Sequence, residues 1–329
     1  MGLRNPRDRP SGLPAVNGNS YNEAPIGTLM PDMLSQFAPI ACFFLVGVLF
    51  RRFGVADQSH GDFVLRLVFF VTLPLLILTT LPNAELSADK ALLPIANIVV
   101  NVLCLGSMLL LTKPMTLSRE TTGSMAMNTM IVNNAFMFPF ILSIYGESGF
   151  ADAVLYDFGN AIMVGTVTFA TAFRYSDEPY QRFVMLRRIA GAPLFWALGI
   201  GMALSVNGTA LPPLVLNIVD PLAQMTSPLI LVALGIFFSG SVTQIRLVAL
   251  ALFIRMGLGL VFGLGFAALV GLEGQTFIIV ALCSGAPIGF MALTFASMAK
   301  LDTELTASAV SVSIVVGLLY VPLVALLFQ

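Results

Sequence analysis

The sequence predicts an all-α integral membrane protein of ten transmembrane helices, built as two inverted five-helix repeats with broken fourth and ninth helices. Three observations lead there. Charged residues make up only 10% of the 329 positions against 57% hydrophobic ones, and mean hydropathy is +0.93, whereas soluble domains carry roughly 25% charge. Ten apolar segments follow one another, each near the ~20 residues needed to cross a bilayer. Two of them, at corresponding places in the two halves, carry a proline and polar residues near their middle.

Residues Met1–Pro31 are rich in Pro, Gly, Asn and Ser and lack a long apolar run near the start. They read as a flexible extracytoplasmic tail and not as a cleavable signal peptide. The first span runs from about Gln36 to Phe50 and stops at Arg51-Arg52. The second, about Phe63 to Leu81, contains Pro74, and the third covers about Leu92 to Leu111. The fourth is Met125 to Tyr145, MAMNTMIVNNAFMFPFILSIY, and the fifth runs from about Phe150 to Phe173. These form a first repeat over residues 32–173. A polar cytoplasmic connector, 174–188, leads to the second repeat, 189–329. Its spans are about Ile189 to Val206, Pro221 to Phe238, Leu247 to Leu272, Phe277 to Ala299 and Leu305 to Phe328.

The repeat is visible in the letters. Ala38-Pro39-Ile40 recurs as Ala192-Pro193-Leu194, and Pro74-Leu75-Leu76 as Pro228-Leu229-Ile230, both offset by 154 residues. Pro139 and Pro287, in the interrupted spans, are offset by 148. Five spans per copy is an odd number, so the copies face opposite ways. That is an architecture for alternating access about a midplane site. Loops after odd-numbered spans hold ten basic residues, among them Arg51, Arg52, Lys113, Arg119, Arg174 and Lys300; loops after even-numbered spans hold only Lys90. The imbalance places both termini outside the cytoplasm, in a multi-pass plasma (inner) membrane protein.

Pro139 and Pro287 each remove a helical hydrogen bond and crowd the carbonyl four residues earlier. In lipid, backbone freed in this way is tolerated only where protein or a wet cavity receives it. The fourth span also holds Asn128, Thr129, Asn133 and Asn134. The ninth holds Ser284-Gly285-Ala286-Pro287, a turn sequence inside a membrane helix, with Pro287 suited to the first position of the following half-helix. Bonding between helices would account for asparagines alone. Adjacent prolines at repeat-related places favour an opening lined by amides and half-helix N-termini, which suits an anion. Neither broken span carries a charge, so the expected ligand is an organic anion with an apolar body. Phe136, Met137, Phe138, Phe290 and Met291 could line its site, although such stripes also serve packing.

Asp157 and Asn160 lie inside the fifth span and Arg255 inside the eighth. An ionisable group at such depth is functional by default. For Asp157 the sequence leaves proton coupling or gating open beside a structural pairing with Arg255. Asp62 and Arg66 are spaced to pair on one helix face, Asp220-Pro221 reads as a helix cap and first turn, and the lone His60 as a loop residue. Cys42, Cys104 and Cys283 sit in apolar runs, with no disulfide or metal-ligand spacing. No cofactor is expected, a formal net charge of −1 offers nothing to nucleic acid, and no HExxH or GxSxG arrangement suggests an enzyme. A ligand-binding membrane sensor is a lesser alternative; it would need a cytoplasmic output surface, and the longest internal connector, 174–188, carries no domain.

Asn133-Asn134-Ala135-Phe136-Met137-Phe138-Pro139, the stretch Tyr145-Gly146-Glu147-Ser148-Gly149 with ADAVLYDFGN (Ala151 to Asn160), and Ser284-Gly285-Ala286-Pro287 resemble motifs of the auxin efflux carrier family. Its bacterial members are often described as organic-acid permeases. The likeness covers Asp32 to the C-terminus, with the short connector of the short-loop members. One departure is Phe138, which stands where many members have glycine, with the proline one position early. The resemblance implies a scaffold of helices one, two, six and seven, which could also support a homodimer. Helices three to five and eight to ten would form a transport domain with crossing helices, moving as an elevator. It places a small organic anion, such as a carboxylate, at Asn133, Asn134 and the turn Ser284, Gly285, Ala286 and Pro287; Pro139, expected to set up the facing half-helix, completes the expected site. A sodium-coupled symporter of the bile-acid type is the alternative in the same fold. Coupling to Na⁺ or protons stays open on the sequence.

Overall fold

Inside a bilayer a helix is the economical fate of an apolar run, because it satisfies every backbone N–H and C=O within the segment. The structure, a computed structural model, describes residues 26–83, 88–176, 191, 193–238 and 243–327. Among these every regular element is helical, and the one β-type pairing is an isolated bridge. Six helical stretches among the described residues are long and apolar enough to cross a membrane: Gln58–Asn83, Asp89–Thr112, Asn134–Arg174, Pro213–Phe237, Ile245–Leu269 and Thr303–Ala325. The chain is a multi-pass membrane protein.

Helix α1 spans Ile26–Arg52. It therefore begins ahead of the expected Gln36 and takes in the last residues of the expected tail. Residues 1–25 of that tail and 177–190 around the connector lie outside the described residues, as does Ala192 of the repeated Ala-Pro pair.

Helix α2 (Gln58–Leu67) passes through a π turn at Val68–Thr72 into α3 (Leu73–Thr80). Pro74 lies just beyond that turn, and a local π adjustment is one way to reabsorb the carbonyl that a proline frees. The start of α2 corrects the loop reading of His60. Asp57 is the N-cap, accepting from Ser59 N at 2.8 Å, and His60 closes a capping box from the third helical position. The Ser59 side-chain bond and then His60 hold the Asp57 carboxyl well below the usual carboxylate range. Asp62 and Arg66 form no ion pair among the described residues, contrary to their spacing; on an exposed helix face such a pair contributes little against the entropy of two long side chains.

The chain continues as α4 (Leu92–Thr112), α5 (Arg119–Met130), α6 (Asn134–Met163), a π turn at Val164–Thr168 and α7 (Phe169–Arg174). Gly146 interrupts α6 with φ 63° and ψ −161°, a combination glycine adopts at little cost. There the chain doubles back, so that Phe138 meets Phe150 edge to face at 5.2 Å.

The second half holds α8 (Pro193–Val206), α9 (Pro213–Gln224), α10 (Thr226–Phe237), α11 (Ile245–Leu252), a π turn at Phe253–Leu258 and α12 (Gly259–Leu269). It ends with α13 (Gly274–Ser284), α14 (Met291–Met298) and α15 (Thr303–Leu327). Asp220 and Pro221 lie inside α9 and do not cap a helix. Asp220 accepts instead from Gln224 one turn on, at 2.8 Å.

Packing divides the helices. Helices α1, α2, α3, α8, α9 and α10 pack on one another, tightest between α1 and α10, where Gly47 and Gly235 let the two backbones touch. Helices α4 to α7 and α11 to α15 pack on one another in turn. The contacts between the groups run mainly through α6, against α1, α3 and α10.

Candidate functional site

The site is built where two helices stop short. After Met130 the β-branched pair Ile131-Val132, stiff at χ1 and suited to extended backbone, leaves the helix, with Ile131 at φ −97°, ψ 112°. Asn133 then restarts it as the N-cap of α6, its Oδ1 accepting from Phe136 N at 3.1 Å. In the second half α13 ends at Ser284, because Pro287 has no N–H and disfavours helical geometry at Ala286.

The two openings repair each other. Asn133 N donates to Pro287 O at 2.8 Å and Gly289 N to Ile131 O at 2.9 Å, around an antiparallel bridge between Val132 and Ile288. Ser313 of α15 accepts from Ile288 N at 3.1 Å. Backbone groups that water would satisfy elsewhere are here satisfied by protein deep in the fold.

This geometry corrects two expectations. Pro139 is not at the first break but inside α6, buried, about a turn and a half past the opening at 131–133. The extended pair found a distant partner, whereas Pro139, at the sixth position of α6, loses its bond to Ala135 O and crowds that carbonyl without ending the helix. Pro287 does not begin the following half-helix either. It stands in the extended segment, and its carbonyl receives Asn133 while α14 starts at Met291.

The charges sort to opposite ends. Arg255, fully buried in the π turn between α11 and α12, donates from Nη1 to Asn101 Oδ1 at 2.6 Å and to Thr129 O at 3.2 Å. Its Nη2 donates to Ser284 O at 2.6 Å. Tyr320 reaches Ala281 O at 3.3 Å, and Tyr156 shares a hydrogen bond with Ser284 Oγ at 2.8 Å. Both helix C-termini at the breaks are thus met by donors, as their negative dipole ends require.

Asp157 does not pair with Arg255, which overturns that alternative. Asn134 Nδ2 at 2.7 Å and Asn160 Nδ2 at 3.0 Å both donate to its Oδ1. The hairpin at Gly146 brings Asp157 beside the start of α6, whereas Arg255 is taken up by the helix C-termini. Asp157 also lines a narrow cleft between α6 and α3 with α8, whose other walls include Leu73, Ile77, Phe138, Phe158 and Leu198.

Several buried amide atoms have no partner: both of Asn128, Nδ2 of Asn133, and Oδ1 of Asn134 and of Asn160. Unpartnered polar atoms at this depth are costly unless something binds them. Gly285 and Ala286 are buried between the ends of α13 and α14. Of the apolar candidates Phe136, Met137 and Phe138 are buried, while Met291 is 42% exposed. The sequence reading missed Asn101, Tyr156, Ser313 and Tyr320. Two carried a usable signal: Asn101 precedes Arg255 by 154 residues, the spacing of the repeated motifs, and Tyr156 lies in the ADAVLYDFGN stretch, next to Asp157.

The family described as membrane transport protein matches residues 32–325. An uncharacterized transporter of Methanothermobacter thermautotrophicus is 24% identical over 288 residues, covering 85% of this chain and 93% of its own length. An uncharacterized transporter of Methanocaldococcus jannaschii is 23% identical over 290 residues, with the same coverage.

Proposed function

The chain belongs to the membrane transport protein family, that of the auxin efflux carriers, and we propose that it carries a small organic anion, a carboxylate, by alternating access. The observation that carries this reading is the pairing of Val132 with Ile288, which joins two broken helices beside buried amides without partners. Carriers place cargo at such breaks, with half-helix N-termini turned to the anion. The first turn of α6 and the free Nδ2 of Asn133 supply the donors, and Phe138 supplies apolar surface. Ser284, Gly285, Ala286 and Pro287 hold the opposing break in place.

In this reading the chain spans the plasma membrane ten times as two inverted repeats, with both termini outside. The helix group of α1 to α3 and α8 to α10 is the scaffold against which the other group slides, carrying the crossing breaks with it. Trp196, Leu214 and Ile218, all exposed, would face lipid or a second copy of the scaffold.

Asp157 bears on coupling. It stands at the same helix start as the anion and would repel it when ionised, so a proton on Asp157 favours binding. Anion and proton then move together. Uptake of a panel of labelled carboxylates into proteoliposomes, with pH and Na⁺ gradients imposed separately, tests the reading. Accumulation of one of them, driven by an inward proton gradient, is expected. No uptake of any carboxylate under either gradient would remove the assignment.

A further inference from the structure

We infer that Arg255 is a tethered cation, seated where the C-terminal ends of the two broken helices would otherwise gather an alkali metal ion. Three oxygens converge on its guanidinium: Thr129 O from the last turn of α5, Ser284 O from the last residue of α13, and Asn101 Oδ1. Carbonyl and amide oxygens at half-helix C-termini are the ligands with which carriers of interrupted-helix design hold Na⁺. Here the charge comes with the chain. The fork of a guanidinium spans two carbonyls that a single ammonium would not.

Two further features show that the place is built for it. The helix carrying Arg255 widens into a π turn over Phe253–Leu258, a distortion that recurs at functional positions. Asn101 is turned by its own bond, Nδ2 to Asn97 Oδ1 at 2.7 Å, so that its oxygen faces the guanidinium. Asn101 and Arg255 also stand 154 residues apart, as the repeated Ala-Pro and Pro-Leu motifs do. One half therefore offers a neutral acceptor where the other offers the cation. A second, mobile cation among the same three oxygens would meet a like charge within a few ångströms, so this place takes no Na⁺.

For coupling, the inference rests on the carrier reading; occupancy itself can be tested without cargo. Thermal unfolding of the full chain in detergent is followed in NaCl, KCl and choline chloride at equal ionic strength. The wild type should unfold at one temperature in all three. Arg255→Ala frees the oxygens and the room for an ion. It should unfold earlier in choline and regain several degrees, saturably, in NaCl or KCl, or be extractable only when one of these is present. Arg255→Lys keeps a tethered charge and should be indifferent to the salt. A saturable Na⁺-specific rise in the wild type or in Arg255→Lys would overturn the inference. So would an Arg255→Ala protein that behaves alike in all three salts or extracts in none. If no carboxylate is carried while these shifts appear, only the carrier reading falls.

Discussion

Gly289→Ala is the sharpest probe of the paired breaks. The added β-carbon would lie 2.9 Å from Ile131 Cγ2 and 2.9 Å from Val132 O, where ordinary contact begins at 3.4 Å. The two extended segments must then part by about half an ångström, stretching the bonds from Gly289 N to Ile131 O and from Asn133 N to Pro287 O. Overpacking of this kind costs ~1–3 kcal/mol. Weakening two hydrogen bonds adds roughly 1 kcal/mol, which the stiffer unfolded chain offsets by about 0.4–1 kcal/mol. The net is about 1–3.5 kcal/mol, or a fall in Tm of about 2–14 °C at the ~2–4 °C per kcal/mol of larger domains. Strain confined to the state that binds cargo lowers affinity about tenfold per 1.4 kcal/mol. Detergent thermal unfolding and proteoliposome uptake read the two effects. Gly265→Ala, on an exposed face of α12 with nothing within 4 Å of the new carbon, is the control and should gain up to about 1 kcal/mol from helix propensity. A Gly289→Ala protein that melts and transports like the wild type would refute the reasoning.

Asn133→Ser keeps an N-cap oxygen for α6 but removes the unpartnered Nδ2, so Tm should move little while carboxylate binding, measured by calorimetry, weakens at least about tenfold. Asp157→Asn preserves an acceptor for Asn134 and Asn160 but cannot take up a proton. Uptake should stop rising as external pH falls while exchange of cargo continues, and unchanged pH dependence would assign Asp157 a structural role. Lys90 holds Asp152, whose side chain is 1% exposed, at 2.9 Å. Lys90→Ala should destabilise by ~3–5 kcal/mol through the charge left unpaired, and Lys90→Ala with Asp152→Asn by less, as a double-mutant cycle in thermal unfolding would show.

The sequence by itself determined that this chain is helical and lives in lipid, because composition and run length leave no other way to satisfy the backbone. It also determined that two helices are interrupted, since a proline among asparagines and a Ser-Gly-Ala-Pro turn are local facts. It did not determine where the first interruption falls. Pro139 is the stronger local signal, yet the chain opens at Ile131-Val132, because those residues find Pro287, Ile288 and Gly289 to bond with, a gain that appears only when the two halves meet. The partners of Asp157 and Arg255 were decided the same way. A reversal at one glycine brings Asp157 to Asn134, and the convergence of two helix ends claims Arg255. A buried charge takes the partners that tertiary packing delivers, and sequence spacing cannot name them.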